Sequence, residues 1–264
     1  MHRSSLPLAL VVVATTFSYG ASAADMAMKA APKAPIIAGD PWSGFYIGGT
    51  AGYGFGDATT NLTPNAVALG GPGIGLPPFG PLPSGPRMTG FVGGGEIGYN
   101  WRLGNILTGL EADISYSSLN ASNSATGIPF IGGIFHTAID ARLQWFGTVR
   151  GRLGFLATNE LLVYGTGGLA YGDARTTVTG TNLNVPCPFN NCFSGSASAT
   201  VGWTAGGGVE YAFMPKWTAK LEYLYLDFGN HSFVMNDAIN VGASVSASTH
   251  PTLNVVRAGL NYHF

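Results

Sequence analysis

The histidines are the residues whose chemistry most directly suggests a reactive site. Beyond residue 23 there are four, His136, His231, His250 and His263, and each lies in a different segment. An imidazole that works as a general base needs a nucleophile or an acid placed beside it. The first three have no paired acidic motif next to them, although Asp237 is near His231. We therefore predict that the chain is not an enzyme, while a dyad assembled by folding stays open.

The two cysteines, Cys187 and Cys192, suggest either a disulfide or part of a metal site. They stand in the polar stretch CPFNNC. A metal site needs further ligands, and no histidine or acidic residue lies within ten positions of the pair. In an exported protein a local disulfide that pins a loop is the expected state.

Two glycine-rich stretches, GGTAGYGFG and YGTGGLAYG, are superficially similar to phosphate-binding loops. A phosphate loop also needs a following helix and a Lys-Ser/Thr pair, and neither follows here. The tight packing of a small, twisted barrel explains the glycines better. No cofactor is predicted.

Charged side chains are unusually few. Asp, Glu, Lys and Arg make up 9% of the 264 residues, against roughly 25% in an ordinary soluble domain. Mean hydropathy is +0.23, yet beyond the first 20 positions no apolar run approaches the length of about 20 residues that a transmembrane helix needs. A net charge of −1 gives no electrostatic basis for nucleic-acid binding. This composition favours a β-barrel in a membrane.

The amino terminus has the pattern of a secretory signal. A positive charge at Arg3 precedes an apolar core, and an A-x-A cleavage site ends at Ala23. We predict a signal peptide over residues 1–23, a flexible Ala/Pro-rich periplasmic tail over 24–41 and a barrel domain over 42–264. An uncleaved membrane anchor is the alternative, but the apolar core is too short to cross a bilayer.

Two-residue alternation of apolar and polar side chains begins at Trp42 and recurs in eight segments. They run over about 43–56, 88–102, 106–118, 139–156, 161–174, 198–213, 217–229 and 251–264. The connections are alternately short, near 102–105, 157–160 and 214–216, and long, over about 57–87, 119–138, 175–197 and 230–250. This pattern predicts an all-β, eight-stranded antiparallel up-and-down transmembrane β-barrel with short periplasmic turns and long extracellular loops.

The charges of the predicted strands share one parity, opposite the aromatic residues. In the last strand, for example, Phe264 and Tyr262 lie on one face and Arg257 on the other. Because a charge facing lipid at mid-bilayer costs roughly 2–4 kcal/mol, the charged face must be the interior. The predicted lumen network contains six acids and six bases: Glu96, Arg102, Glu111, Asp113, Asp140, Arg142, Arg150, Arg152, Glu210, Lys220, Glu222 and Arg257.

A soluble β-sandwich or a lipocalin-like barrel would give the same alternation with the large apolar residues inside. The signal peptide, the aromatics near the strand ends and the asymmetry of the connections favour the membrane barrel. Eight strands enclose an interior that side chains just fill, so we predict a charge-paired plug, closed to solutes or admitting only ions. The glycines at 48, 52, 54, 94, 98, 168, 206 and 208 also face inward and are expected to leave some empty volume. A narrow ion or small-solute channel is therefore the alternative.

Three segments carry a family resemblance. WSGFYIGGTAGYGFG, WTAKLEYLYLDFG and VRAGLNYHF are similar to the first, penultimate and closing strands of the α-proteobacterial outer-membrane immunogenic proteins, often labelled a porin family. The resemblance implies an OmpA-type eight-stranded barrel. It also implies that Leu260, Tyr262 and Phe264 form the signal read by the barrel-assembly machinery. Some relatives are thought to bind haemin, which makes capture of haemin or a metal by loop histidines a further alternative.

We therefore expect a structural, surface-exposed protein of the Gram-negative outer membrane. Its partners would be outer-membrane lipid and the barrel-assembly machinery. The extracellular loops would form the antigenic surface and meet any ligand, of haemin or host origin, because long loops usually carry such functions.

Overall fold

Alternation between outward and inward side chains runs through the long strands of a single sheet. The computed structural model describes residues 40–65, 87–130, 133–182, 193–236 and 244–264, all within the unit Ile37–Phe264. The predicted signal peptide, most of the predicted tail and both cysteines lie outside these residues. The described strands are β1 (Gly44–Asn65), β2 (Arg87–Leu103), β3 (Ile106–Phe130), β4 (Gly133–Leu156), β5 (Leu161–Asn182), β6 (Phe193–Met214), β7 (Trp217–Asp227), β8 (His231–Asn236) and β9 (Ser244–His263).

Antiparallel pairing closes this sheet into a ring. Strands β1 to β7 pair in chain order, β7 pairs with β9, and β9 returns to β1. The short β8 also pairs with β9, beyond the point where β7 ends. Gly229 has a φ of 72°, which a residue with a Cβ rarely adopts, so the chain bends there between β7 and β8. Because β7 and β8 occupy one position in the wall, the predicted eight-stranded barrel is confirmed.

The three short connections lie at one end of the barrel, here called the turn end. Strands β2 and β3 are joined by Gly104 and Asn105, and Gly104 has a φ of 66°. Residues 157–160 join β4 to β5, and residues 215–216 join β6 to β7. These are the three turns predicted from the sequence. The opposite end is called the loop end.

The strands extend further towards the loop end than the sequence predicts. Within the described residues, β1 continues to Asn65, β3 to Phe130 and β5 to Asn182. The predicted strands therefore end too early, and within the described residues much of the predicted long connections over 119–138, 175–197 and 230–250 is strand. The predicted strands ended where apolar outward residues ended, whereas the observed strands continue with polar outward residues. No helix among the described residues is long and apolar enough to cross a membrane.

Exposed aromatic residues mark two levels on the outer face. On β4, Phe155 lies near the turn end and Trp145 lies ten positions further towards the loop end, and both are exposed. At about 3.4 Å per residue and a strand tilt of about 40°, they are separated by about 26 Å along the barrel axis. This height matches the apolar band of outer-membrane barrels, which is about 25 Å.

Candidate functional site: the charged interior of the barrel

Nine charged side chains, contributed by six strands, form a buried layer in the middle of the barrel. They are Glu96 of β2, Glu111 and Asp113 of β3, Arg150 and Arg152 of β4, Glu210 of β6, Lys220 and Glu222 of β7, and Arg257 of β9. Each is at least 95% buried. Alternation brings them inward, because the residues beside them in the sequence face outward and are apolar or small. We call this set the charged layer.

Two arginines bridge opposite walls at the centre of the charged layer. Arg150 donates to Glu222 at 2.9 Å and to Asp113 at 3.0 Å, and it also contacts Glu111. Arg257 donates to the same Glu222 at 2.8 Å and to the same Asp113 at 3.1 Å. Both carboxylates are therefore shared by two guanidinium groups, so the walls formed by β3, β4, β7 and β9 are linked across the lumen.

Lys220 and Arg152 extend these contacts to either side. The Lys220 ammonium lies 2.6 Å from Glu96 and 3.3 Å from Glu111. Arg152 donates to Glu210 at 2.5 Å and to the Tyr46 hydroxyl at 2.9 Å. Buried charges of this kind are tolerated only when they are paired, because transfer from water costs several kcal/mol per ion.

Two buried tyrosines that the sequence analysis missed complete these contacts. The Tyr46 hydroxyl donates to Glu111 at 2.6 Å, and the Tyr164 hydroxyl donates to Glu222 at 3.1 Å. The Arg152 guanidinium also lies 4.2 Å from the centre of the Tyr164 ring, within the range of a cation–π interaction. Parity could have identified Tyr46, because its neighbours Phe45 and Ile47 face outward.

Apolar layers lie on both sides of the charged layer. The layer towards the turn end consists of Trp42, Leu107, Leu156, Leu162, Tyr164 and Ala212. The layer towards the loop end is larger and consists of Ala58, Met88, Val92, Leu119, Ala141, Leu143, Phe146, Ala170, Ala174, Leu224, Leu226, Phe228, Leu253 and Val255. The charged side chains are thus enclosed between apolar side chains along the barrel axis.

Trp42 lies at the turn end and is completely buried. Its indole nitrogen donates to the carbonyl of Asn159 at 2.8 Å. Asp40 accepts hydrogen bonds from Ser43 at 2.5 Å and from Arg102 at 2.9 Å. Burial alone would raise the pKa of Asp40, but the hydrogen bonds from Ser43 and Arg102 outweigh burial and lower it. Residues 40–43 are therefore held against the turn end by these hydrogen bonds.

The inward glycines do not leave the empty volume expected from the sequence. A Cβ at Gly98 would collide with the Tyr46 ring, and one at Gly206 would collide with Leu224. At Gly168 and Gly52 it would meet the backbone of Arg150 and Arg257. Glycines on one wall make room for bulky side chains from the facing or neighbouring strands. The expectation that the inward glycines leave empty volume is therefore wrong at these positions.

Asp140 and Arg142 are exposed on the outer face and do not join the charged layer. The register between β4 and β5 shifts between Leu143 and Phe146, which is a β-bulge. Gln144 and Trp145 therefore face outward in succession, and the parity of β4 is reversed towards the loop end. The prediction that Asp140 and Arg142 face the lumen is wrong for this reason. Arg102 lies at the turn end and pairs with Asp40.

Three of the histidines lie in strands near the loop end rather than in loops. His136 is in β4, His231 in β8 and His250 in β9. The His250 Nε2 atom is 2.8 Å from a carboxylate oxygen of Asp227. No group of three or more His, Cys, Asp or Glu in the described part of the chain is arranged to hold a metal ion. Haemin binding by these residues stays a prediction.

The last strand closes the ring through β1. Leu260 and Phe264 are exposed on the outer face, and the Tyr262 and Phe264 rings are 5.3 Å apart. The amide of Phe264 donates to the carbonyl of Phe45 at 3.0 Å. This arrangement places the chain end at the turn end, beside the start of β1.

Comparison with known proteins identifies the family of this barrel. Residues 11–264 match the family model described as outer membrane protein beta-barrel domain. The chain belongs to this family of outer-membrane β-barrels. It is therefore a protein of the Gram-negative outer membrane.

Its relatives include immunogenic proteins of Brucella. The chain is 36% identical to the 31 kDa outer-membrane immunogenic protein of Brucella melitensis biotype 1, over 97% of this chain and 98% of that one. It is 30% identical to the 22 kDa outer membrane protein of Rhizobium leguminosarum bv. viciae, over 77% and 72% of the two chains. Among solved structures it is similar to OprG of Pseudomonas aeruginosa, with 14% identity, a TM-score of 0.44 and coverage of 84% and 98%. The resemblance seen in the sequence is thus confirmed.

Proposed function

We propose that this protein is a structural, surface-exposed component of the outer membrane whose barrel is closed to solutes. The observation that carries the proposal is the order of layers along the barrel axis. An ion crossing the lumen would have to pass Trp42, then nine paired charges, then an apolar layer that includes Phe146 and Leu224. Apolar side chains on both sides of the charged layer disfavour water, and the inward glycines Gly52, Gly98 and Gly168 lie against neighbouring backbone or side chains.

The loop end is assigned to the outside of the cell. In outer-membrane barrels of known orientation, short turns face the periplasm and longer connections face the exterior. Strand extensions with polar outward residues, such as Asp57–Asn65 of β1, would then stand above the lipid and form the antigenic surface. Names of the Brucella relatives as immunogenic proteins support this assignment.

The test is single-channel conductance of the chain from Ala24, refolded and inserted in a planar lipid bilayer. We expect no conductance steps, with folding confirmed by a heat-dependent gel shift. A variant with Trp42→Ala, Glu111→Ala, Arg150→Ala and Phe146→Ala removes side chains from all three layers and is expected to conduct. Reproducible steps from the unaltered chain would contradict the closed barrel.

A narrow channel is the second candidate, because several buried polar groups lack a protein partner. Within the described residues these include the side chains of Thr50, Asn100 and Ser115. Such groups favour ordered water, and connected waters would provide a path for small ions. A channel of this kind would give cation or anion selectivity that changes when Lys220 or Glu96 is neutralised, whereas the closed barrel would stay silent in both variants.

We also infer a non-catalytic role. His263 lies beside the charged layer, 3.3 Å from the Thr218 hydroxyl and 3.8 Å from Glu210, and it is 98% buried, out of reach of a substrate. His250 and Asp227 form a hydrogen-bonded pair on the outer wall. Incubation of the refolded protein with lipid and peptide substrates is expected to give no product, and turnover that is lost in His250→Ala would contradict the inference.

A further inference from the structure

The bulge in β4 places two arginines side by side on the outer face. Arg142 of β4 and Arg175 of β5 are direct cross-strand partners, and both are exposed. Like charges in this position repel each other and destabilise the pair of strands. Within the described residues Arg142 forms no ion pair, and Arg175 has only Asp173, at 4.0 Å. The two guanidinium groups therefore lie side by side on the outer face, with Asp140 and Asp173 two residues away on the same strands.

This site lies at the level where the apolar band ends. Trp145 and Tyr171 lie just below it, with ring centres 6.2 Å apart, and they belong to the aromatic level near the loop end. Arg142 is three positions beyond Trp145, so it stands about 8 Å higher at about 3.4 Å per residue and a tilt of about 40°. Side chains at this height meet lipid headgroups rather than acyl chains.

The arginines line an open groove of about 460 Å³ on the outer wall. Its other polar lining residues are Asn120, Ser122, Asp140 and Thr177. Guanidinium groups bind phosphate through paired, charge-assisted hydrogen bonds. Hydroxyl, amide and carboxylate groups are suited to sugar hydroxyls, because they accept hydrogen bonds from them. The groove thus combines a phosphate site with a surface for a sugar.

We propose that this groove binds the phosphorylated sugar headgroup of an outer-leaflet glycolipid. Arg142 and Arg175 hold the phosphate between them, which also removes their mutual repulsion. Asp140 and its polar neighbours contact the sugar ring. The proposal rests on the proposed orientation, in which the loop end faces the exterior, and it does not depend on whether the lumen conducts.

The test compares binding of diphosphoryl lipid A by three forms of the refolded protein in detergent micelles, measured by native mass spectrometry. The double variant Arg142→Gln/Arg175→Gln is expected to bind lipid A at least tenfold more weakly than the unaltered chain. Arg87→Gln is the matched control, because Arg87 is also an exposed arginine near the loop end but is paired with Asp57 at 3.6 Å. This control is expected to bind as the unaltered chain does.

Two further ligands separate the possible sources of the phosphate. Enzymatically dephosphorylated lipid A is expected to bind the unaltered chain as weakly as lipid A binds the double variant. Inorganic phosphate at millimolar concentration is expected to compete only weakly. Equal binding of lipid A by the double variant and the unaltered chain would overturn the proposal. Inorganic phosphate that binds as tightly as lipid A would replace the glycolipid with a free anion, and would also overturn it.

Discussion

At the scale of single residues, the stability of the barrel interior depends on buried charged side chains that are paired with one another and shielded from water. Arg150 is 99% buried and meets three carboxylates, Glu111, Asp113 and Glu222. The same side chain in water would gain little from a salt bridge. Inside the barrel, removal of either partner leaves an uncompensated buried charge, and that penalty dominates.

We predict that Arg150→Met lowers the free energy of unfolding by about 3–5 kcal/mol, because three carboxylates lose a shared cation. Urea unfolding in lipid vesicles, followed by tryptophan fluorescence, measures this change. Arg87→Met is the control and is expected to change stability by less than about 1 kcal/mol, because Arg87 is exposed.

The pairing itself is tested by adding Glu111→Gln to Arg150→Met. The double variant is expected to lose less stability than the sum of the two single variants. Each single substitution leaves the other residue as an unpaired buried charge, whereas the double variant removes both charges. Strictly additive losses would show that the two side chains do not stabilise each other.

At the scale of elements, the bulge in β4 determines which side chains of this strand face outward and which face the lumen. On the turn side of the bulge, Val149 faces outward in the apolar band and Arg150 faces the lumen. On the loop side the parity is reversed, so Leu143 is buried and Arg142 is exposed. One extra residue in a strand thus converts a lumen position into a surface position.

We predict that Val149→Arg impairs insertion far more than Gln144→Arg does. An arginine at position 149 faces the middle of the apolar band and is expected to cost about 2–4 kcal/mol, whereas one at position 144 lies near the interface and is expected to cost about 0–1 kcal/mol. The fraction folded in lipid vesicles, read from the heat-dependent gel shift, measures the difference. Equal losses in the two variants would contradict the outward placement of Val149 or the level assigned to Gln144.

Alternation along the sequence was sufficient to predict the inward and outward faces of most strands, but not of β4. The inward and outward faces of β2, β3, β7 and β9 follow from alternation alone, because exposed and buried positions keep alternating along each predicted strand. The bulge at Gln144 and Trp145 arises from the register with β3 and β5, and neither residue is a glycine or proline that would have indicated it. The strand extensions were missed because they lack lipid-facing apolar residues. The packing of Tyr46 over Gly98 could not be foreseen, since it joins two strands.

At the scale of the whole molecule, closure of the ring depends on the last strand. Strand β9 pairs with β7 on one side and with β1 on the other. Phe264 ends the chain on the outer face, next to Tyr262 and Phe45. The sequence resemblance assigns it a second role, as part of the signal read by the assembly machinery.

We predict that deletion of Phe264 lowers the folded yield in cells more than it slows refolding in lipid vesicles. The deletion removes one backbone hydrogen bond and one ring contact, which are small losses for the folded barrel. Phe213→Ala is the control, because Phe213 is also an exposed aromatic near the turn end but lies within β6. An unchanged folded yield in cells, or an equal loss of yield in Phe213→Ala, would contradict the hypothesis that Phe264 is part of the assembly signal.

The position of Arg257 on β9 has a consequence for the order of assembly. The charged layer holds five carboxylates and four cations among the described residues, and without β9 it would hold five carboxylates and three cations. Arg257 lies 2.7 Å from Glu222 and 3.1 Å from Asp113, which come from β7 and β3. Strand β9, the last strand of the ring in chain order, therefore carries the cation that these two carboxylates share. Without β9 the excess of carboxylates over cations in the charged layer would rise from one to two, so closing the wall also supplies the cation that Glu222 and Asp113 share.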